Sequence, residues 1–483
     1  MPLSSLSSLS SLPWLSPVSP PGPQPAPSPL SPSAPARSLP SLPLAVLLML
    51  APWWHAAFAA GAPAHWVATW AAAPQTSHLA LGRAPAPRAG TRSGDANAGN
   101  ANGGNRAPGF ASAPRFDHQT VRMIVRTSIG GSRVRVQLSN AFGAAPLPIG
   151  AAHIALSGAG SAIVAASDRV LTFSGQPSVL IPVGAEVLSD PVDLRIAPLT
   201  RLAVSVYVAG QTADPTEHLT GLHTTYISGT GDFTAAASLP DASTRQSWYW
   251  LSGVDVLAPS GTGLIVAFGD SITDGVNSTP DTDRSWVGQF AQRLLAGSAR
   301  GNWAVIDEGI SGNRLLNDGI GTAALARLDR DVFSQPGVRW LIVLEGINDI
   351  GFPHLPGVQS AGEVTARELI DAQKQIIERA HLRGIRVMGA TLTPFGGAAY
   401  YSDSGESVRE AVNQWIRTAH AFDAVVDFDA VVRDPQNPRY IRTSFNDTDH
   451  LHPNDAGYRA MADAIDVAVF GSRAARASPP RRH

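Results

Sequence analysis

Apolar residues run unbroken over 264–268 and stop at Gly269, where an acid and a serine follow at once, so that the stretch reads L-I-V-A-F-G-D-S-I-T-D-G. A continuous apolar run of this length, closed by glycine, predicts a strand buried on both faces. Ser271 then lies just past the carboxyl end of that strand, where an open α/β sheet keeps its ligands. Over 284–295, Trp286, Val287, Phe290, Ala291, Leu294 and Leu295 recur at helical spacing, so strand, turn and helix follow in order. The turn leaves the Ser271 backbone N–H free to face a ligand.

The same alternation continues to the end of the sequence. Short apolar runs at 303–307, 340–344, 385–390 and 424–428 predict strands, and helical patterns separate them, the clearest at 361–383 and 407–422. This rhythm predicts an α/β domain over 261–470 with a parallel sheet covered on both faces.

Before it, residues 65–255 have a different texture. Residues 121–129 and 133–138 are rich in Val and Ile, and Gly130-Gly131 between them predicts a tight hairpin. Further β-like runs at 152–156, 170–173, 192–196 and 202–208 are separated by Gly, Pro, Ser and Asp, which predicts a β-sandwich. Residues 81–114 are Gly, Ala, Asn, Pro and Arg without apolar periodicity and read as a flexible surface insertion. Residues 1–41 are Ser, Leu and Pro, a composition that cannot bury a core, and 471–483 are an arginine-rich solvated tail. At 42–59 a short apolar segment leads to the small-residue site Ala57-Phe58-Ala59. A spanning helix needs roughly 20 apolar residues, so the segment reads as a signal peptide and the protein as secreted or periplasmic; an uncleaved anchor is the alternative.

Composition narrows the function classes. Apolar residues make up 44%, charged residues 15%, and the net charge is −2 with no dense basic run, so nothing points to nucleic acid. The absence of cysteine excludes a disulfide scaffold, a thiolate metal site and a cysteine nucleophile together.

A serine hydroxyl becomes a good nucleophile only when a base takes its proton, and the base needs an orienting group. The stretch D-T-D-H-L-H-P-N-D from Asp447 to Asp455 supplies both, in two overlapping D-x-x-H readings: Asp449 with His452, and Asp447 with His450. The first is preferred because Pro453 suits the first turn of a following helix, which anchors His452 against a helix start. The H-x-H pair with Asp449 also reads as a zinc site, but no comparable ligand cluster stands out elsewhere, so neither metal nor cofactor is expected. Oxyanion donors are expected from two further strand-end turns, G-I-S-G-N with Gly312 and E-G-I-N-D with Asn348. The aromatic residues Phe395, Tyr400 and Tyr401 read equally as pocket lining or as packing. An α/β-hydrolase elbow is excluded, since Thr273 stands where G-x-S-x-G needs glycine, and the first strand lacks the dinucleotide glycine fingerprint.

Four blocks in order, Gly269-Asp270-Ser271-Ile272, Gly312-Asn313, Gly346-Ile347-Asn348-Asp349 and the stretch from Asp449 to His452, resemble those of the GDSL or SGNH hydrolases. The resemblance implies a flavodoxin-like three-layer α/β/α domain. It further implies Ser271 as nucleophile, His452 as base and then acid, Asp449 as the orienting carboxylate, and an oxyanion hole of the Ser271 and Gly312 backbone with the Asn348 side chain. The β-rich leader is similar to that of an arylesterase-like or acylhydrolase-like bacterial subgroup. The expected activity is that of a secreted serine esterase acting through an acyl-enzyme on a small-molecule or carbohydrate ester, an acetyl ester first, with no stable membrane insertion. The alternatives are a glycan-binding protein with a catalytically weak α/β domain, and a lipase or arylesterase of broader acyl range. Activity is expected to fall in acid, where a protonated imidazole cannot act as base. The oligomeric state is left open.

Overall fold

The structure, a computed structural model, describes residues 64–77, 114–296, 303–355 and 362–471. The leader, the apolar segment at 42–59, most of the insertion and all but the first residue of the tail lie outside them.

Five parallel strands, Gly263–Gly269, Trp303–Gly309, Val338–Leu344, Arg386–Ala390 and Ala424–Val426, form one sheet. Counted in chain order they lie 2-1-3-4-5, the doubly wound order whose switch point, between strands one and three, is where ligands bind. The first strand is buried at all seven positions, as a strand covered on both faces must be. Helices complete the crossovers that parallel pairing requires. Trp286–Ala296 packs against Asp455–Ala464, and Ala366–His381 packs against Asp403–Thr418. The first of these buries Trp286, Val287, Phe290, Ala291 and Leu294, whereas Leu295, expected on the same face, is 41% exposed.

Register matters more to function than helix lengths do. Gly269 lies opposite Gly309 on the second strand and opposite Leu344 on the third. Three strand ends therefore finish level, and the three loops that follow them, at 270–274, 310–313 and 345–348, emerge side by side.

The preceding region is β-rich and antiparallel. Its largest sheet is built around Gln119–Arg126, Arg201–Val208 and Leu147–Leu156, and a second has His65–Ala71, Leu251–Ala258 and Val134–Ser139 as neighbours. Alternation decides which side chains go inward: Val121, Met123 and Val125 of one sheet and Val134, Val136 and Leu138 of the other belong to one hydrophobic cluster, which continues into the α/β core through Leu264 to Phe268. The expected hairpin at Gly130-Gly131 does not form. Gln119–Arg126 pairs with Arg201–Val208 and with Thr225–Thr230, and Val134–Ser139 sits in the other sheet. Residues 127–133 cross between sheets instead. Ser128 and Ile129 are held by hydrogen bonds to Thr69, and Gly131 bridges Ile196. The run expected at 192–196 makes isolated bridges at its two ends, to Val134 and Gly131.

Candidate active site

Asp270, not Ser271, caps the short helix Ser271–Asp274: its carboxylate accepts the Ile272 N–H at 2.9 Å. Ser271 is thus the first helical residue, with its N–H pointing off the helix start and no acceptor for it among the described residues. The helix packs very closely on the second strand, since a Cβ at residue 309 would lie 2.4 Å from the Asp274 backbone nitrogen, so only glycine fits there.

His452 approaches from the last loop. Its Nε2 is 2.7 Å from Ser271 Oγ, and its Nδ1 is 2.7 Å from Asp449 Oδ2. Asp449 is fixed in turn by the local chain, its Oδ1 accepting the N–H groups of Leu451 and His452 at 3.0 Å each. Burial raises the Asp449 carboxyl, but the hydrogen bond and charge of His452 with those two N–H donors outweigh it and hold it well below the usual carboxylate range. His450 and Asp447 lie apart from this group. Both are exposed; the His450 ring meets Tyr440 edge-on, and Asp447 accepts from Asn454.

The helix after His452 begins two residues later than Pro453 suggests. Asn454 is the cap, accepting the N–H groups of Ala456 and Gly457 at 3.1 Å, and Asp455 is the first helical residue. An asparagine cap takes the role because its side chain can satisfy two free donors, which proline cannot.

Gly312 follows the second strand with φ of +80°, and a Cβ there would lie 2.6 Å from Ile320. Its N–H also has no acceptor among the described residues. Asn313 next to it is fully engaged: its amide nitrogen donates to the Ile320 and Thr322 carbonyls, its side-chain oxygen accepts from Arg327, and its backbone carbonyl accepts from Asn348 Nδ2 at 2.9 Å. Asn348 uses one amide hydrogen there and keeps the other. Tyr400 OH donates to Asn348 Oδ1 at 3.2 Å, which fixes the amide's orientation. Phe395 and Tyr400 are buried, and Tyr401 is bonded to Asp403.

Beneath these loops lies a buried charge cluster that sequence reading did not reveal. Arg327 donates to the backbone carbonyls of Gly269 and Glu308, to Asn313 and to Asp331, with its guanidinium 4.0 Å above the Phe268 ring. One cation thus ties the ends of the first two strands to the Gly312 turn. Burial, with Asp349 and Asp274 close by, pushes Asp270 to about 7. Burial likewise pushes Asp349 to about 6 although its carboxylate accepts the Leu315 and Leu316 N–H groups. Among the described residues no group of three or more side chains could hold a metal ion, and no helix is long and apolar enough to cross a membrane.

The arrangement is a hydroxyl bonded to an imidazole bonded to a carboxylate, beside two unengaged N–H groups and an oriented amide. Residues 267–460 match the model of the GDSL-like Lipase/Acylhydrolase family. No curated protein matches the sequence. Among solved structures, a variant of an acetyl xylan esterase from Geobacillus stearothermophilus is 21% identical over 42% of this chain and 92% of that one, with a TM-score of 0.34. A lipase/acylhydrolase from Enterococcus faecalis is 20% identical over 43% and 93%, with a TM-score of 0.33. A GDSL-like lipase from Bacteroides thetaiotaomicron is 18% identical over 43% and 87%, with a TM-score of 0.32. With the family match spanning the strand that carries Ser271 through the loop that carries His452, the α/β domain is one of the GDSL-like lipase/acylhydrolase family and the protein a carboxylic ester hydrolase.

Proposed function

We propose that Ser271, His452 and Asp449 form the catalytic triad of an exported serine esterase that releases short acyl groups, acetyl first, from small-molecule or carbohydrate esters. The observation that carries this reading is the unbroken line of two 2.7 Å contacts from Ser271 Oγ through His452 to Asp449. Asp449 accepts Nδ1–H, which leaves Nε2 as the acceptor of the serine proton. Ser271 Oγ attacks the ester carbonyl as its proton passes to Nε2, and the carbonyl oxygen takes up the negative charge. The Ser271 N–H, the Gly312 N–H and the second amide hydrogen of Asn348 stabilise that charge; each such donor contributes about 10²–10³ in kcat. The tetrahedral intermediate collapses, the alcohol leaves with the proton from Nε2, and water repeats the sequence to free the acid. Export is supported by the apolar segment at 42–59 and its small-residue site. The carbohydrate ester is suggested by the acetyl xylan esterase among the similar structures.

The test is p-nitrophenyl ester hydrolysis by the full chain, with acyl groups from acetyl to octanoyl, beside Ser271→Ala. Turnover that falls with acyl length and is lost with the serine is expected. A folded wild-type protein that turns over no ester of the series, or that keeps its rate without Ser271, overturns the mechanism; a maximum at octanoyl overturns the short-acyl preference.

A further inference from the structure

Asp274 closes the short helix that Ser271 opens, and its carboxylate faces in two directions. Oδ2 accepts the Ser311 N–H at 2.9 Å and the Ser311 hydroxyl at 2.5 Å. Oδ1 meets His218 Nε2 at 3.0 Å. His218 belongs to the β-rich region, on the strand Thr216–His218, and its other ring nitrogen, Nδ1, lies 2.9 Å from the Ala73 carbonyl. Both side chains of the pair are 4% exposed.

The partners dictate the protons. A carbonyl oxygen only accepts, so Nδ1 carries a hydrogen; a carboxylate also accepts, so Nε2 carries one as well. These partners suit the imidazolium form of the ring, paired with Asp274. Burial works against that charge, but Asp274 and the Ala73 carbonyl outweigh it and hold His218 above the ordinary imidazole value. The pairing has two consequences for the reaction. Asp274 stays anchored, and it in turn anchors Ser311 by both its N–H and its hydroxyl, which orients the peptide that carries the Gly312 N–H. The negative charge one helical turn from Ser271 is also neutralised, where a bare carboxylate in a low-dielectric site would oppose a developing oxyanion.

We propose that His218 is a positioning residue for ester hydrolysis, acting from the β-rich region through Asp274 and Ser311 on the Gly312 oxyanion donor. The inference rests on the serine esterase reading and extends it, since it gives the β-rich region a part in catalysis.

The experiment measures kcat and KM of the full chain for p-nitrophenyl acetate in His218→Gln, Ser311→Ala and the double variant, with Ser271→Ala as the reference for enzyme-catalysed rate and thermal unfolding as the check on folding. Misplaced catalytic groups cost rate more than affinity, so His218→Gln is expected to lose about 10- to 100-fold in kcat with KM changed less than about twofold. Because both residues act through one carboxylate, the double variant is expected to lose little more than the worse single one. Single variants with wild-type kcat, or losses that multiply in the double variant, overturn the inference. If His218→Gln does not fold, Ser311→Ala decides alone: an unchanged kcat overturns the inference, and a reduced kcat at unchanged KM supports it. A wild-type rate that survives Ser271→Ala is a different failure, because it removes the esterase reading on which this one stands.

Discussion

Two histidines lie two positions apart in the last loop, and the structure gives them opposite surroundings. His452 faces Ser271 and Asp449, while His450 has a φ of +58° that turns its ring toward Tyr440. His452→Ala is therefore expected to lower kcat for p-nitrophenyl acetate by about 10⁴-fold, the scale of a lost general base. His450→Ala is expected to stay within about twofold, as an exposed side chain outside the site does. The reverse pattern in the two rates would move the triad by two residues. At this scale the sequence was legible in which residues come together: Ser271, Asp449 and His452, each singled out by a short motif, meet in the structure. It was not legible where a role depends on a distant partner. Asp274 stands three residues from Ser271, yet its meaning comes from His218, 56 positions away in the β-rich region. Nothing local to Tyr400 says that its hydroxyl reaches Asn348.

Elements were legible to the extent that their own periodicity defines them. The first parallel strand and the helix after it were, since an apolar run and a helical stripe announce themselves. The hairpin expected at Gly130-Gly131 does not form: flanking alternation reports a strand but not its partner. Helix ends were misplaced where a polar cap sets the start: Ser402 begins the helix Asp403–Thr418 four residues before the expected 407, and the Thr365–Glu368 capping box begins Ala366–His381 five after the expected 361. A comparison of two helix starts separates stability from activity. Asp455, first residue of the helix that follows His452, accepts from the N–H and hydroxyl of Thr279 and from Arg284, tying that helix to the loop that follows the Ser271 helix. Thr365 caps a helix that supplies none of the proposed catalytic residues. Thr365→Ala is expected to cost about 1 kcal/mol in urea unfolding and to leave kcat unchanged. Asp455→Ala is expected to cost a similar amount and also to lower kcat several-fold. Equal kcat in the two variants would show that the clamp stabilises the fold without serving the site.

Across the whole molecule, two sets of acidic groups respond to pH in opposite ways. Asp449 and Asp283 are held below the usual carboxylate range, each against burial, the first mainly by His452 and the second by His223 with Arg126. A depressed carboxyl contributes stability that is present above its unfolded value and is lost as pH falls through the folded one, so this set weakens the fold only in strong acid. The other set lies under the loops that carry Ser271, Gly312 and Asn348. Burial raises Asp270 to about 7, Asp349 to about 6, and Asp307, Glu308 and Glu345 well above the ordinary range. In the unfolded chain each of these ionises at its ordinary value, near 4, while the folded protein keeps the proton. The unfolded state then binds fewer protons, and stability falls as pH rises from about 4 through 7. Both Oε atoms of Glu345 lack a hydrogen-bond partner among the described residues, which makes ionisation there especially costly. The two sets together place maximum stability in mild acid. The urea midpoint is expected to be higher at pH 5.5 than at pH 8. Replacing the unpartnered carboxyl by Glu345→Gln, which keeps its size and removes its titration, is expected to narrow the difference between the two midpoints; an unchanged difference would mean that Glu345 does not contribute to it.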